Sequence, residues 1–175
     1  FYYDTNKMAE KETVFSSKIK YDGLFSFKDF YNFCYGWVKD EMGFDILSET
    51  KYEEKVKGEE KEIKVEWAGK KDMSDYFRFE IKIGFIIQKL KNVEVVKEGV
   101  KSNMNQGSVN LDVKGVLVRD YKGKFEMSAF KKFLRSIYEK WIIPSRISEY
   151  QEKIARDSDD FLGQAKAYLD LEGKR

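Results

Sequence analysis

The sequence predicts an α+β fold: an antiparallel meander sheet of about six strands, one helix after the first strand, and a long C-terminal helical segment packed on one face. Three observations carry this. Apolar residues alternate with polar ones through most of the stretch from Asp45 to Tyr121. They recur instead at helical spacing between Phe27 and Met42 and again from Phe125 to Leu171. Glycine and polar clusters punctuate the alternating region, and the single proline, Pro144, interrupts the last helical one.

Lys11 to Tyr21 alternates, with Phe15, Ser17, Ile19 and Tyr21 on one side, and predicts a first strand ending at an Asp22-Gly23 turn. Ser26 and Asp29 then form the start signal of a helix, because a serine at the cap accepts the backbone N–H three residues on. Phe30, Phe33, Cys34, Trp37, Val38 and Met42 form its apolar stripe, and Gly43 supplies the left-handed residue that stops it. Asp45 to Lys57 is a polar strand with a thin apolar face of Tyr52 and Val56. It turns at Gly58-Glu59 into Glu60 to Ala68, where Ile63, Val65 and Trp67 alternate with charges. Tyr76 to Gln88 is the clearest strand, placing Phe77, Phe79, Ile81, Ile83, Phe85 and Ile87 on one face. Val93 to Val100 and Ser108 to Tyr121 follow, joined by a predicted turn over Ser102 to Gly107. In the last strand Leu111, Val113, Gly115 and Leu117 face one way, while Val116 and Val118 ask for cover on the other.

The final region divides at Pro144, since proline lacks a backbone donor and crowds the preceding turn. Before it, Phe130, Phe133, Leu134, Ile137 and Trp141 form one stripe; after it, Ile147, Tyr150, Ile154, Phe161, Ala165 and Tyr168 form another. As one helix, Phe125 to Leu171 would run about 70 Å, against a radius of gyration of about 16 Å for a compact domain of this size. The expectation is that the first half packs across the sheet and the second half folds back or projects. Ile147, Ile154, Phe161 and Tyr168 fall seven apart, but Asp157 and Gln164 in the companion positions weaken a coiled-coil seam, and Asp157 to Asp160 reads as a break. An internal echo links the two helix starts: Tyr21-Asp22-Gly23-Leu24-Phe25 and Tyr121-Lys122-Gly123-Lys124-Phe125 lie 100 positions apart, and Phe30 and Phe33 match Phe130 and Phe133.

The 175 residues suit one domain, 1–175, with residues 1–10 as a leader, Met8 as a possible natural start, and 145–175 as a C-terminal helical extension. The 33 basic and 31 acidic side chains are interleaved and leave a net charge of +2, which gives no reason to expect a nucleic-acid partner. No run approaches the roughly 18 apolar residues of a membrane span. One cysteine, Cys34, excludes an intramolecular disulfide and a thiolate zinc site. The absence of histidine removes the commonest general base and metal ligand. No nucleotide, calcium or nucleophile-elbow motif occurs, and the acidic pairs Glu53-Glu54, Glu59-Glu60 and Asp159-Asp160 are sequence neighbours that a strand would point apart. The expectation is a cytoplasmic protein that is not an enzyme and uses no metal or cofactor.

The order strand, helix, strands, long helix resembles the helix-grip domains of the START and Bet v 1-like type, in element order alone. That resemblance implies a sheet wrapped on the last helix, with an apolar ligand in the space between them. Its lining would be Phe77, Phe79, Ile81, Ile83 and Phe85 against Phe130, Phe133, Ile137 and Trp141. Separately, Glu66-Trp67, Asn92-Val93-Glu94-Val95, Met104-Asn105-Gln106-Gly107 and Tyr121 to Phe125 are similar to uncharacterised small archaeal cytosolic proteins, a resemblance that brings no activity.

Three readings of function follow. The leading one is an interaction or scaffold domain that forms homo-oligomers or binds a protein partner through Ile147, Tyr150, Ile154, Phe161 and Tyr168. The alternative is a binder of an apolar small molecule or lipid between the sheet and the C-terminal helix. A third reading lays the second stripe on a bilayer, but Asp157, Asp159, Asp160 and Asp170 oppose an anionic surface.

Overall fold

The computed structural model describes residues 10–123, 125 and 128–174. The expected leader, apart from Glu10, and Met8 lie outside the described residues, as do Lys124, Glu126 and Met127.

A five-stranded antiparallel sheet forms the base of the fold: β1 (Glu10–Phe25), β2 (Ile46–Lys57), β3 (Glu60–Asp72), β4 (Phe77–Lys97) and β5 (Val100–Arg119). The order is β1-β5-β4-β3-β2, so the meander from β2 to β5 is closed by the first strand lying beside the last. The sheet has five strands and not about six because the two predicted strands around Tyr76–Gln88 and Val93–Val100 are one. A bulge between Gln88 and Lys91, with Lys89 at φ +53, lets β4 continue. The predicted turn at Ser102–Gly107 is likewise strand. The chain reverses instead at Glu98-Gly99, where both residues have positive φ, as a two-residue hairpin turn needs. The asparagines form cross-strand links: Asn105 Nδ2 donates to Asn92 Oδ1 at 2.9 Å. Nor does Asp22-Gly23 end β1, because β5 offers ladder partners as far as Asn105, opposite Phe25.

Ser26 caps α1 (Phe27–Gly36), accepting the Asp29 N–H at 3.3 Å, and the helix ends in a π-helical turn, Trp37–Glu41. α2 (Ala129–Ile137) is built alike: Ser128 accepts the Lys131 N–H at 3.2 Å, and a π-helical turn, Tyr138–Ile142, closes it. α3 (Pro144–Gly173) starts on the proline, which suits the first helical turn where a missing N–H costs nothing. It runs unbroken through Asp157–Asp160, with Ser158 fully buried between half-buried Asp157 and exposed Asp159.

α1 and α3 share one face of the sheet. Phe30 meets Phe85 and Tyr31 meets Trp67, which seats α1 over β4 and β3. α3 lies along β1 and β5, with Tyr150 against Phe77 and Phe79 at one end and Tyr168 stacked on Phe33 at 4.5 Å at the other. Phe77 to Ile87 alternate into this core as expected, and Val116 and Val118 are buried on the opposite face. The long segment fits because the strands are longer than their patterns imply. The 21 residues of β4 extend over about 70 Å, and the 30 of α3 over about 45 Å.

Candidate functional site

The first half of the C-terminal region does not pack across the sheet as expected, and the second half folds back and takes that place. Of the proposed interaction surface, Ile154 and Phe161 are fully buried, and Ile147, Tyr150 and Tyr168 pack partly buried against the same core. The stripe repeats every three to four residues because it is the sheet-facing side of α3, so residues 144–173 belong to the core and do not project as an extension. Of the proposed cavity lining, Phe77, Phe79, Ile81, Ile83 and Phe85 are core residues beneath α1 and α3. Phe130, Phe133, Ile137 and Trp141 do not meet them. They are exposed, by 68, 59, 38 and 72% respectively.

α2 stands with its apolar side outward because its polar side is tied down. Arg119 of β5 reaches Glu12 at 3.0 Å and Glu139 of the π-helical turn at 3.5 Å. The Tyr76 hydroxyl donates to Glu139, Arg135 pairs with Glu10 at 3.4 Å, and Gln151 of α3 donates to Glu12. Tyr138 adds an aromatic contact to Tyr76 and stacks on Phe125. Burial first, and then the bonded Glu139 carboxylate, push the Tyr76 phenol far above its ordinary range, so it stays a donor. This set joins β1, β5, α2 with its π-helical turn, and α3 at one corner, and its chemistry is that of an anchor.

A recess opens on the other side of the helix layer. α1 covers β3 and β4, and the outer strand β2 runs beside it, leaving a cleft of about 470 Å³ between Phe27, Lys28, Tyr31 and Asn32 of α1 and Glu49 and Tyr52 of β2. A second cleft of about 220 Å³ shares Phe27, Lys28 and Tyr52 and continues the recess towards Ile63 and Leu90. The helix start is fixed there, since Phe27 N–H donates to Asn105 Oδ1 at 3.0 Å. Across the cleft the Tyr31 hydroxyl donates to Glu49 Oε1 at 2.7 Å. Burial, and then that hydrogen bond, push the Tyr31 phenol up to about 12. The Tyr31 ring stands edge-on to buried Trp67 at 5.1 Å. The recess is shallow and open: aromatic rings form its floor and sides, and a cation, an amide and a phenol–carboxylate pair mark its rim.

Sequence reasoning passed over these residues because Phe27 and Tyr31 lie off the main stripe of α1. Tyr52 was visible only as half of a thin apolar face. A large ring on a strand otherwise made of Glu and Lys was the available signal. Cys34 is fully buried and burial raises its thiol pKa well above the ordinary value. Among the described residues no group of three or more acidic or cysteine side chains is placed to hold a metal ion, and no helix is long and apolar enough to cross a membrane. No family model matches the chain, and no curated protein matches it.

Proposed function

We propose that this chain is a cytoplasmic, helix-grip-like binding domain, not an enzyme, and that it takes a small apolar molecule bearing a ring. The binding place is the recess between α1 and β2. The observation that carries this reading is the cleft of about 470 Å³ walled by Phe27, Tyr31 and Tyr52. The recess is shallow and open to solvent, so its apolar rings offer contact to one side of a ligand and a few polar groups orient it. Lys28, Asn32 and the Tyr31–Glu49 pair are those groups here. The expected seat of an apolar ligand thereby moves from beneath the C-terminal helix to beside the first one, because α3 and α1 already fill the face of β4.

The test is a titration of the full chain with an environment-sensitive apolar naphthalene dye, compared with Asn32→Trp, which fills the cleft, and with Phe130→Ser/Phe133→Ser, which removes apolar surface from α2. Dye binding that Asn32→Trp abolishes and the α2 variant leaves intact supports the cleft. Binding that only the α2 variant abolishes, or no binding at all, counts against it.

A further inference from the structure

The outward side of α2 is the largest run of exposed apolar side chains among the described residues. Phe130, Phe133, Leu134, Ile137, Trp141 and Ile142 follow one another along a single helix and its π-helical turn, whereas the other exposed large apolar residues are spread over β2, the β4–β5 hairpin and the end of α3. Scattered apolar residues need no explanation, but a contiguous patch marks a surface that is covered in use. The arrangement is also inverted. A surface helix ordinarily turns its apolar stripe to the core, as α1 does with fully buried Phe30 and Cys34. α2 has the same cap and the same closing turn, yet its charged Arg135 and Glu139 face the domain.

Charge decides what covers it. From Ala129 to Arg146 the exposed charged residues are Lys131, Lys132, Lys140 and Arg146, all cationic. The one acidic residue of that stretch, Glu139, is turned inward onto Tyr76 and Arg119. Lys140 stands 5.4 Å from the Trp141 ring, which brings a cation to the edge of the apolar stripe. A second copy of this chain packed on the stripe would bring two sets of these cations together, which like-charge repulsion disfavours. An anionic lipid surface complements both features. Its acyl region takes the apolar side chains, its headgroups take the lysines, and tryptophan prefers the boundary between them.

We propose that α2 and its π-helical turn form a membrane-docking element that lies in the interface of an anionic bilayer, with Phe130, Phe133, Ile137 and Trp141 inserted and Lys131, Lys132 and Lys140 on the headgroups. The inference does not rest on the cleft. It differs from a bilayer contact through the α3 stripe, whose residues are in the core and whose neighbours include four aspartates.

Flotation of the full chain with phosphatidylcholine vesicles, and with vesicles containing phosphatidylglycerol in addition, tests it. The expected result is flotation with the anionic vesicles alone, a blue shift of tryptophan emission that Trp141→Phe removes while binding persists, and release by salt. Phe130→Ser/Phe133→Ser abolishes flotation with an unchanged melting profile, since both side chains are already exposed. Lys131→Gln/Lys132→Gln/Lys140→Gln weakens it by about a hundredfold, at about fivefold per basic residue. The proposal is overturned by absence of flotation, by equal flotation on neutral vesicles, or by binding that survives the Phe130→Ser/Phe133→Ser change. A dimer in light scattering that this same variant returns to monomer, without vesicle binding, also overturns it.

Discussion

Gly115 of β5 and Ser158 of α3 meet with no room for a side chain between them: a Cβ on Gly115 would stand 2.8 Å from Ser158 Oγ and 3.0 Å from Ile154 Cγ1. The glycine lets a long helix lie close on the sheet, and a small serine faces it. Gly115→Ala therefore forces α3 away from β5. Overpacking of this kind costs about 1–3 kcal/mol, and each kcal/mol lowers the melting temperature of a domain of this size by about 2–4 °C. Thermal and urea unfolding of the variant measure it; a wild-type melting curve would show that α3 does not sit this close.

The similarly built helices α1 and α2 give a paired test. Phe30→Ala leaves a hole under α1 and costs about 3–5 kcal/mol. Phe130→Ala, at the echoed position, removes an exposed ring and changes stability by no more than about 0.5 kcal/mol. Equilibrium unfolding in urea compares them, and equal losses would place Phe130 in the core.

The anchor of α2 is testable through Arg119, which faces Glu10, Glu12 and Glu139 with its side chain only 15% exposed. Arg119→Met leaves those carboxylates crowded and one cation short. The expected loss is about 1–3 kcal/mol, because removing one partner strands the other charges. Double-mutant cycles with Glu139→Gln should recover part of it, and additive losses would mean that the two residues are not coupled.

Alkaline pH should destabilise the domain through two partly buried phenols. Tyr31 is pushed up to about 12 by burial and by its bond to Glu49, and Tyr76 is pushed further in the same direction by burial and by Glu139. Both folded values lie above the ordinary tyrosine value near 10. Their contribution to stability is thus complete below about pH 10 and is lost as pH rises through the folded values. Phenolate absorbance should show exposed tyrosines ionising first and these two only with the unfolding transition. Ionisation of every tyrosine near pH 10 in a folded chain would contradict the two hydrogen bonds.

Cys34 offers a chemical readout of the core. Its thiol is fully buried and held protonated by burial, while the thiolate is the reactive form. An aromatic disulfide reagent should leave it unmodified in the native state and react at once in denaturant. Fast native modification would mean that α1 lifts from β4.

Much of the architecture was legible in the residues. The alternation of Phe77 to Ile87, the Ser26 cap, the Gly58-Glu59 hairpin and the two stripes either side of Pro144 all correspond to observed elements. Turn chemistry misled at Ser102–Gly107, because asparagines that favour turns also hydrogen-bond across strands. The cleft was less legible still, since Tyr31 and Tyr52 become neighbours only when β2 folds back beside α1.

By itself the sequence determined which side chains share a face within each segment: Ile154 with Phe161, Phe130 with Phe133 and Trp141. Periodicity is local, and a chain segment carries it wherever it packs. Only the tertiary structure decided which of the two C-terminal helices receives the sheet. α3 fits within the length of the strands and meets Gly115, while Arg119 and Tyr76 hold the polar side of α2. Beside α1 the main apolar face of the sheet has room for one more stripe, and the chain carries two. That competition joins residues far apart in the chain, so no reading of either stripe alone could settle it.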